Sequence, residues 1–437
     1  MKRKIIVGLS LTFCSIFSSA KEPQNIIYLI GDGMGVSYTT GYRLFADDQS
    51  TKIVDPSIFD KMLVGNATTY PDDDGYNVTD SAAAATALAA RVKTFNGAIG
   101  VDKQHRPVKT VLEYAKEHGY VTGIAVTSQI NHATPAAFVA HADSRQSYDA
   151  IANQYVDDQI NGKPKVDLML GGGQQYFLRK DRNLIADLQK KNYRYVDDIN
   201  KLNEITTIPA IGLFAEVGMP AALGSEHPLR LAEMTEKAME LLAGKQPFFL
   251  MLEASQIDWC GHANDVACAM GEMRDMAETL QRIKVFIDSH PNTLLVVTAD
   301  HSTGGLSLGA KDEYNWRPTV LHAVKRMPSD IAELMLSSGD EWKAKWFENT
   351  AIELSTDEQT LISNTLKNEA GNATADVKKQ LVSQLLKIID RRSGTGWTTK
   401  GHTGEDVQVF AYGKNASLFA GAQDNTDIAK KLFGLIK

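Results

Sequence analysis

The sequence predicts an α/β protein with a doubly wound, mostly parallel central sheet flanked by helices. Three observations predict it. Phe248 to Leu252 is an unbroken apolar run, the pattern of a strand buried on both faces. Similar short runs alternate along the chain with longer stretches of helical period. At the ends of these runs the residues change abruptly to carboxylates, imidazoles and hydroxyls, at the place where such sheets bind ligands.

The chain begins with Lys2, Arg3 and Lys4, then an apolar stretch from Ile5 to Phe17, then Ser18-Ser19-Ala20. That order predicts a secretory signal peptide cleaved after Ala20, and so a secreted or periplasmic protein. Cys14 is no lipoprotein cysteine, because Thr12 and Phe13 precede it where small residues are needed. Losing the three basic residues takes the formal net charge from −7 to −10. Such an acidic chain argues against a broad nucleic-acid-binding surface. At 43% hydrophobic and 23% charged the composition is globular. After the signal segment no apolar run is long enough to span a membrane.

Ile26 to Ile30 reads as a strand ending in Gly31-Asp32-Gly33-Met34-Gly35, whose glycines allow a tight turn around one carboxylate. Asn77 to Asp80 leads into an alanine-rich helix from about Ser81, small enough on every side to pack closely on the sheet. Thr79, Asp80 and Ser81 could each cap it. A helix is expected over 107–119, then a strand from Tyr120 to Val126 that ends in a polar stretch through His132 and Thr134. Arg145 is expected to open the next helix. Strands follow at Val166–Leu170 and Ile211–Ala215, and a helix at Glu226–Leu242. After the Phe248–Leu252 strand come Glu253, Asp258 and His262, read as a strand-to-helix loop loosened by Gly261. A helix over Asp275–Ser289 feeds a strand, Thr293 to Thr298, ending in Ala299-Asp300-His301. Residues 328–392 break the alternation and read as a helical insertion within one domain, 21–437. The chain returns through Gly401-His402-Thr403-Gly404 to a last strand, Val407 to Tyr412.

Cys260 and Cys268 could not be bridged on one helix, but could in a loop. Cys260 could also be a thiolate ligand between Asp258 and His262. The strand ends together offer Asp32, Ser81, Thr134, Glu253, Asp258, His262, Asp300, His301 and His402. Imidazoles with carboxylates suit zinc, and carboxylates with a hydroxyl suit magnesium. Two transition metals roughly 4 Å apart would clamp both oxygens of an in-line displacement.

Thr79-Asp80-Ser81 with its alanine run, the Gly31–Gly35 loop, the Thr298–Gly305 run and Gly401–Gly404 together resemble the alkaline phosphatase family, in its exported bacterial form. The resemblance spans about 25–305 and 400–415. It implies an alkaline phosphatase-like fold and hydrolysis of phosphate monoesters, with broad specificity and an alkaline optimum, through a phosphoserine on Ser81. Asp258, His262 and His402 would hold one zinc, which binds the leaving oxygen. Asp32, Asp300 and His301 would hold a second, which keeps Ser81 as an alkoxide. Thr134 and Glu253, with Asp32 bridging, would hold a magnesium. Arg145 would grip two phosphate oxygens, oriented by Asp80. His132 and Trp259 stand where members of the family differ; His132 is expected to reach the magnesium through water. The implied partners are small phosphate monoesters and inorganic phosphate, and a homodimer is implied by the family. The alternatives are a phosphodiesterase of the same superfamily, or a non-catalytic exported protein that binds phosphate or metal.

Overall fold

The computed structural model describes residues 24–48, 50–244, 247–367 and 375–437. The expected signal segment, 1–20, lies outside the described residues. Ten strands form the main sheet. In chain order they are β1 (Asn25–Gly31), β2 (Leu63–Thr68), β3 (Val121–Gln129), β4 (Leu168–Gly172) and β5 (Arg194–Val196). Then come β6 (Ala210–Leu213), β7 (Phe248–Ala254), β8 (Thr293–Ala299), β9 (Val407–Gly413) and β10 (Gly421–Asp424). Their spatial order is β10-β2-β9-β8-β1-β7-β3-β4-β6-β5.

The expected fold is the observed one. From β8 across to β5 every neighbouring pair is parallel. β7 and β8 are buried along their whole length, because helices cover both faces and leave no position for a polar side chain. Burying each large apolar side chain there contributes roughly 1.5–3 kcal/mol. Parallel strands all point the same way, so the tips of β1, β3, β7 and β8 share one edge of the sheet.

β9 departs from this pattern. It runs antiparallel to β8, with Thr298 opposite Val409. The start of β9 therefore lies beside the end of β8. That places His402, which precedes β9, at the same edge as Asp300 and His301, which follow β8.

Helix α1 (Ser81–Ala90) is buried at every position. Its small side chains allow close packing against α2 (Ala133–Val139) and against the helix Asn425–Leu435. After β7 the structure forms a helix, α3 (Gln256–Ala263), where the sequence reading expected a loop. α4 (Val266–Ser289) starts nine residues before the expected Asp275. Asn264 in left-handed conformation (φ 55°) separates the two. That break is what lets Cys260 and Cys268 meet: their Cα atoms lie 5.5 Å apart and the sulfurs are bonded. The disulfide rules out the thiolate-ligand reading of Cys260.

Residues 328–392 hold the helices Pro328–Ser337, Trp342–Thr350, Thr356–Lys367 and Ala375–Ser393, the last labelled α5. Trp346 is fully buried among them, its indole N–H donating to the Ile352 carbonyl at 2.8 Å. Among the described residues no helix is long and apolar enough to cross a membrane.

Candidate active site and metal centre

The tip of β1 turns at Gly33, in left-handed conformation (φ 72°). A Cβ there would lie 2.7 Å from the Asp258 Cα, so only glycine fits. The turn presents Asp32 at the sheet edge, and the Gly33 N–H donates to Asp300 Oδ1 at 3.0 Å.

Asp80, not Ser81, is the N-cap of α1: its Oδ1 accepts from the Ala83 N–H at 3.0 Å. The Ser81 hydroxyl is thereby free of capping. It lies 3.1 Å from His301 Nε2, buried, at the positive end of the helix. The same His301 nitrogen is 3.5 Å from Asp32 Oδ1 and 3.3 Å from Asp300 Oδ2.

Asp258 and His262 stand one helical turn apart on α3, so they share a face. Asp258 Oδ1 is 3.4 Å from His262 Nε2 and 3.5 Å from His402 Nε2. The two histidine Nε2 atoms are 3.2 Å apart. Each of these rings donates its Nδ1–H to a backbone carbonyl, of Lys400 for His262 and of Thr79 for His402. Such bonds fix the tautomer and leave both Nε2 lone pairs for a cation.

Arg145 does not open a helix. It lies in the loop before the helix Tyr148–Asp157, its N–H donating to the Gly97 carbonyl at 2.8 Å. Its guanidinium donates to Asp80 Oδ2 at 3.0 Å and faces His132 Nε2 at 3.3 Å. The His132 ring stands edge-on to Trp259, with centroids 6.0 Å apart. Thr134 lies in the first turn of α2, fully buried. Glu253 Oε2 accepts from Ser255 Oγ at 2.6 Å and Ser128 Oγ at 3.1 Å.

Ligand atoms cluster within 4.8 Å of one another in three overlapping sets: Asp258, His262 and His402; Asp32, Asp258 and His301; Asp32, His132 and Glu253. The last set brings a ring nitrogen of His132 within 4.8 Å of carboxylate oxygens of Asp32 and Glu253. Both oxygens of Asp32, Asp300 Oδ2, Glu253 Oε1, Thr134 Oγ1 and His132 Nδ1 are buried without a hydrogen-bond partner. Orphaned buried carboxylate oxygens are costly unless a cation satisfies them.

The electrostatics agree. Burial, then the charges of Asp300, Asp258 and Glu253, push Asp32 well above the usual carboxylate range. Asp300 is pushed up to about 7 by burial and by Asp258 and Glu253. Burial also raises Glu253. His301 is pushed well down, by burial and by His402, and His132 to about 3, by burial and by Arg145. Neutral imidazoles beside crowded carboxylates are a donor set that fits divalent cations.

Four further residues serve the site that sequence reasoning passed over. Ser128 and Ser255 hold Glu253. Thr303 donates to Asp258 Oδ1 at 2.5 Å and lies 3.2 Å from His301 Nδ1. Thr127 Oγ1 accepts from the Ser255 N–H at 3.0 Å. Each sits at or just beyond a strand end, the same signal that marked the ligands.

A family model described as alkaline phosphatase matches residues 23–437. Alkaline phosphatase 3 of Bacillus subtilis (strain 168) is 46% identical over 94% of this chain and 88% of its own length. Alkaline phosphatase 4 of the same organism is 42% identical over 100% and 97%. The crystal structure of a cold-active alkaline phosphatase from a psychrophilic Shewanella sp. is similar with a TM-score of 0.88 and 43% identity, over 94% of this chain and 100% of that one.

Proposed function

The chain belongs to the alkaline phosphatase family of hydrolases, and from that premise we propose that it hydrolyses a broad range of phosphate monoesters at alkaline pH through a phosphoserine on Ser81. The observation that carries this reading is the Ser81 hydroxyl, released from capping by Asp80 and placed 3.1 Å from His301.

Ser81 Oγ, having lost its proton, attacks phosphorus. The ester P–O bond breaks and its electron pair leaves with the alcohol oxygen, which takes up a proton. Water then attacks the phosphoserine, releasing inorganic phosphate and restoring the hydroxyl. Arg145 grips two phosphoryl oxygens with its planar fork, and Asp80 holds that fork in place. Asp258, His262 and His402 would hold one zinc, and Asp32, Asp300 and His301 a second. Thr134 and Glu253, with Asp32 bridging, would hold a magnesium, with His132 beside them to reach it through water. Bound there, the cations supply positive charge against the negative charge on the phosphoryl oxygens and on the entering and leaving oxygens. Little in this set contacts the alcohol, which is the basis for broad specificity.

We read 21–437 as one domain, exported after loss of the signal segment and paired as a homodimer; family membership supports the last two. The test is covalent trapping of labelled phosphate at mildly acidic pH. Wild type should retain label and Ser81→Ala should retain none while keeping its metals. Label on the variant would remove Ser81 as nucleophile. Turnover of p-nitrophenyl phosphate, set against its diester, separates this reading from a phosphodiesterase.

A further inference from the structure

A basic groove begins where the candidate active site opens. Asp32, Asp300 and His301 are fully buried, whereas the His262 side chain is 42% exposed. The residues after it, Ala263 and Asn264, form the near wall of a cavity of about 540 Å³. Lys400 lines it too, and its carbonyl holds the His262 ring. Lys378, Lys379 and Lys387 of α5 form the far wall. A second cavity, of about 380 Å³, shares Asn264, Lys387 and Asp390, and adds Lys311, Arg391 and Trp397.

The charge is unbalanced in favour of cations, in a chain whose net charge is −7. The acids lining the two cavities are Asp390 and Glu313, and both have partners. Asp390 accepts from the Trp397 indole at 3.1 Å, and Glu313 from Arg317 at 2.7 Å. Among the described residues Lys311, Lys379, Lys387 and Lys400 make no ion pair within 4 Å. Lysines left unpaired beside one another repel, and an anion relieves the repulsion. Lys378 is paired with Glu333 at 2.9 Å, but Lys379 and Lys387 stand eight residues apart along α5, about 12 Å of helix. That is longer than a single phosphate needs and suits a chain of charges.

We propose that this groove is a leaving-group subsite for phosphate esters and anhydrides whose leaving group carries further phosphates along a chain. The proposal rests on the phosphatase reading and adds a substrate preference to it. In that reading the leaving oxygen sits by Asp258, His262 and His402, so the departing group extends outward past His262. A neutral alcohol gains nothing from the lysines, while a phosphate-bearing one is held by them. Inorganic polyphosphate and the phosphorylated end of a single-stranded nucleic acid share this chemistry.

The experiment measures kcat/KM of the metal-loaded enzyme at several salt concentrations on p-nitrophenyl phosphate, tripolyphosphate and 5′-phosphorylated octathymidylate. The variant is Lys379→Ala/Lys387→Ala, which leaves Lys400 and its carbonyl untouched. The expected result is a loss of about three- to tenfold on the chain substrates, with p-nitrophenyl phosphate within about twofold. For the oligonucleotide, the slope of log(kcat/KM) against log[salt] should flatten by about 1.4, from two lost phosphate contacts. Loss on tripolyphosphate alone assigns the groove to inorganic chains; loss on the oligonucleotide alone assigns it to nucleic-acid ends. Equal loss on all three substrates, or none, overturns the proposal. If wild type turns over none of the three, the phosphatase reading fails instead. The groove is then judged by anisotropy of labelled octathymidylate lacking the 5′ phosphate: a salt slope flattened in the variant sustains it, and an unchanged slope overturns it.

Discussion

Asp80 has two duties, one for each carboxylate oxygen. Oδ1 caps α1 and also accepts from the Gly97 N–H at 3.0 Å, while Oδ2 holds Arg145. The guanidinium is thus anchored to the same turn that carries Ser81. Arg145→Ala should raise KM and weaken inhibition by inorganic phosphate by about 2 kcal/mol, roughly 30-fold. This is the low end for a charged contact, because the side chain is 19% exposed and water partly replaces it. An unchanged inhibition constant would take Arg145 out of the site. His132 makes a second test. Held neutral beside Asp32 and Glu253, it brings no charge to a hard cation. His132→Asp should therefore lower the magnesium midpoint of stripped enzyme titrated at fixed zinc, and an unmoved midpoint would mean that the ring faces no ion. Ser81, Asp32 and the Asp300-His301 pair were legible as residues because strand tips concentrate chemistry. The division of labour between Asp80 and Ser81 was not, since either side chain could have capped the helix.

Most of the sheet was readable one element at a time, because β7, β1 and β8 are buried on both faces and their apolar runs have no other explanation. The edges were harder. β2, β5 and β10 are short or half-polar, and nothing local separates them from loops. The direction of β9 was hidden too, since it depends on where a long excursion through the helices of 328–392 returns. α3 was missed because Gly261 and the ligand residues leave it little apolar period. Lost with it was the spacing that puts Asp258 and His262 on one face. The helix Val111–Glu117 offers a test at this scale. Its Glu113 completes a capping box with Thr110 and also receives Lys165 at 2.8 Å and His141 at 3.0 Å. Burial pushes this carboxyl up, but the His141 hydrogen bond and the Lys165 charge outweigh it and hold it at about 2. A depressed folded-state pKa contributes stability that is fully present above about pH 4.5 and is lost as pH falls toward 2. Glu113→Gln should cost about 3 kcal/mol at neutral pH, and its acid-unfolding curve should be flatter than that of wild type between pH 4.5 and 2. Parallel curves would mean that the ion pairs contribute nothing to folding.

Over the whole molecule the carboxylate cluster at the sheet edge is a concentrated electrostatic load, with Asp32, Asp300 and Glu253 all pushed up by burial. In metal-free protein Asp300 keeps its proton up to about pH 7, against an ordinary value of 3.8. Between those limits Asp300 holds a proton in the folded chain that it lacks in the unfolded one, so its contribution to stability falls as pH rises. His132, His301 and His402, held neutral by burial, contribute in the opposite sense until the unfolded imidazoles lose their protons near the ordinary value of 6.5. Above about pH 6.5, where the imidazoles are neutral in both states, the raised Asp32 and Asp300 set the sign, and chelated enzyme should melt lower at pH 8 than at pH 6.5, as read by calorimetry. Enzyme reloaded with zinc and magnesium should lack that fall and regain activity. Equal melting of stripped and reloaded protein at pH 8 would end the metal assignment, once removal has been verified by elemental analysis. Asp32 gives this load a further consequence, because it belongs to two of the ligand sets at once. Whichever ion arrives first displaces the proton that burial holds on Asp32, and the next ion meets a carboxylate already ionised. By reciprocity the help that one ion gives the other through this shared proton is returned by the same factor. On the proposed assignment of the two sites to zinc and magnesium, scarcity of magnesium would then also weaken the hold on zinc, and a shortage of either nutrient would silence the whole centre.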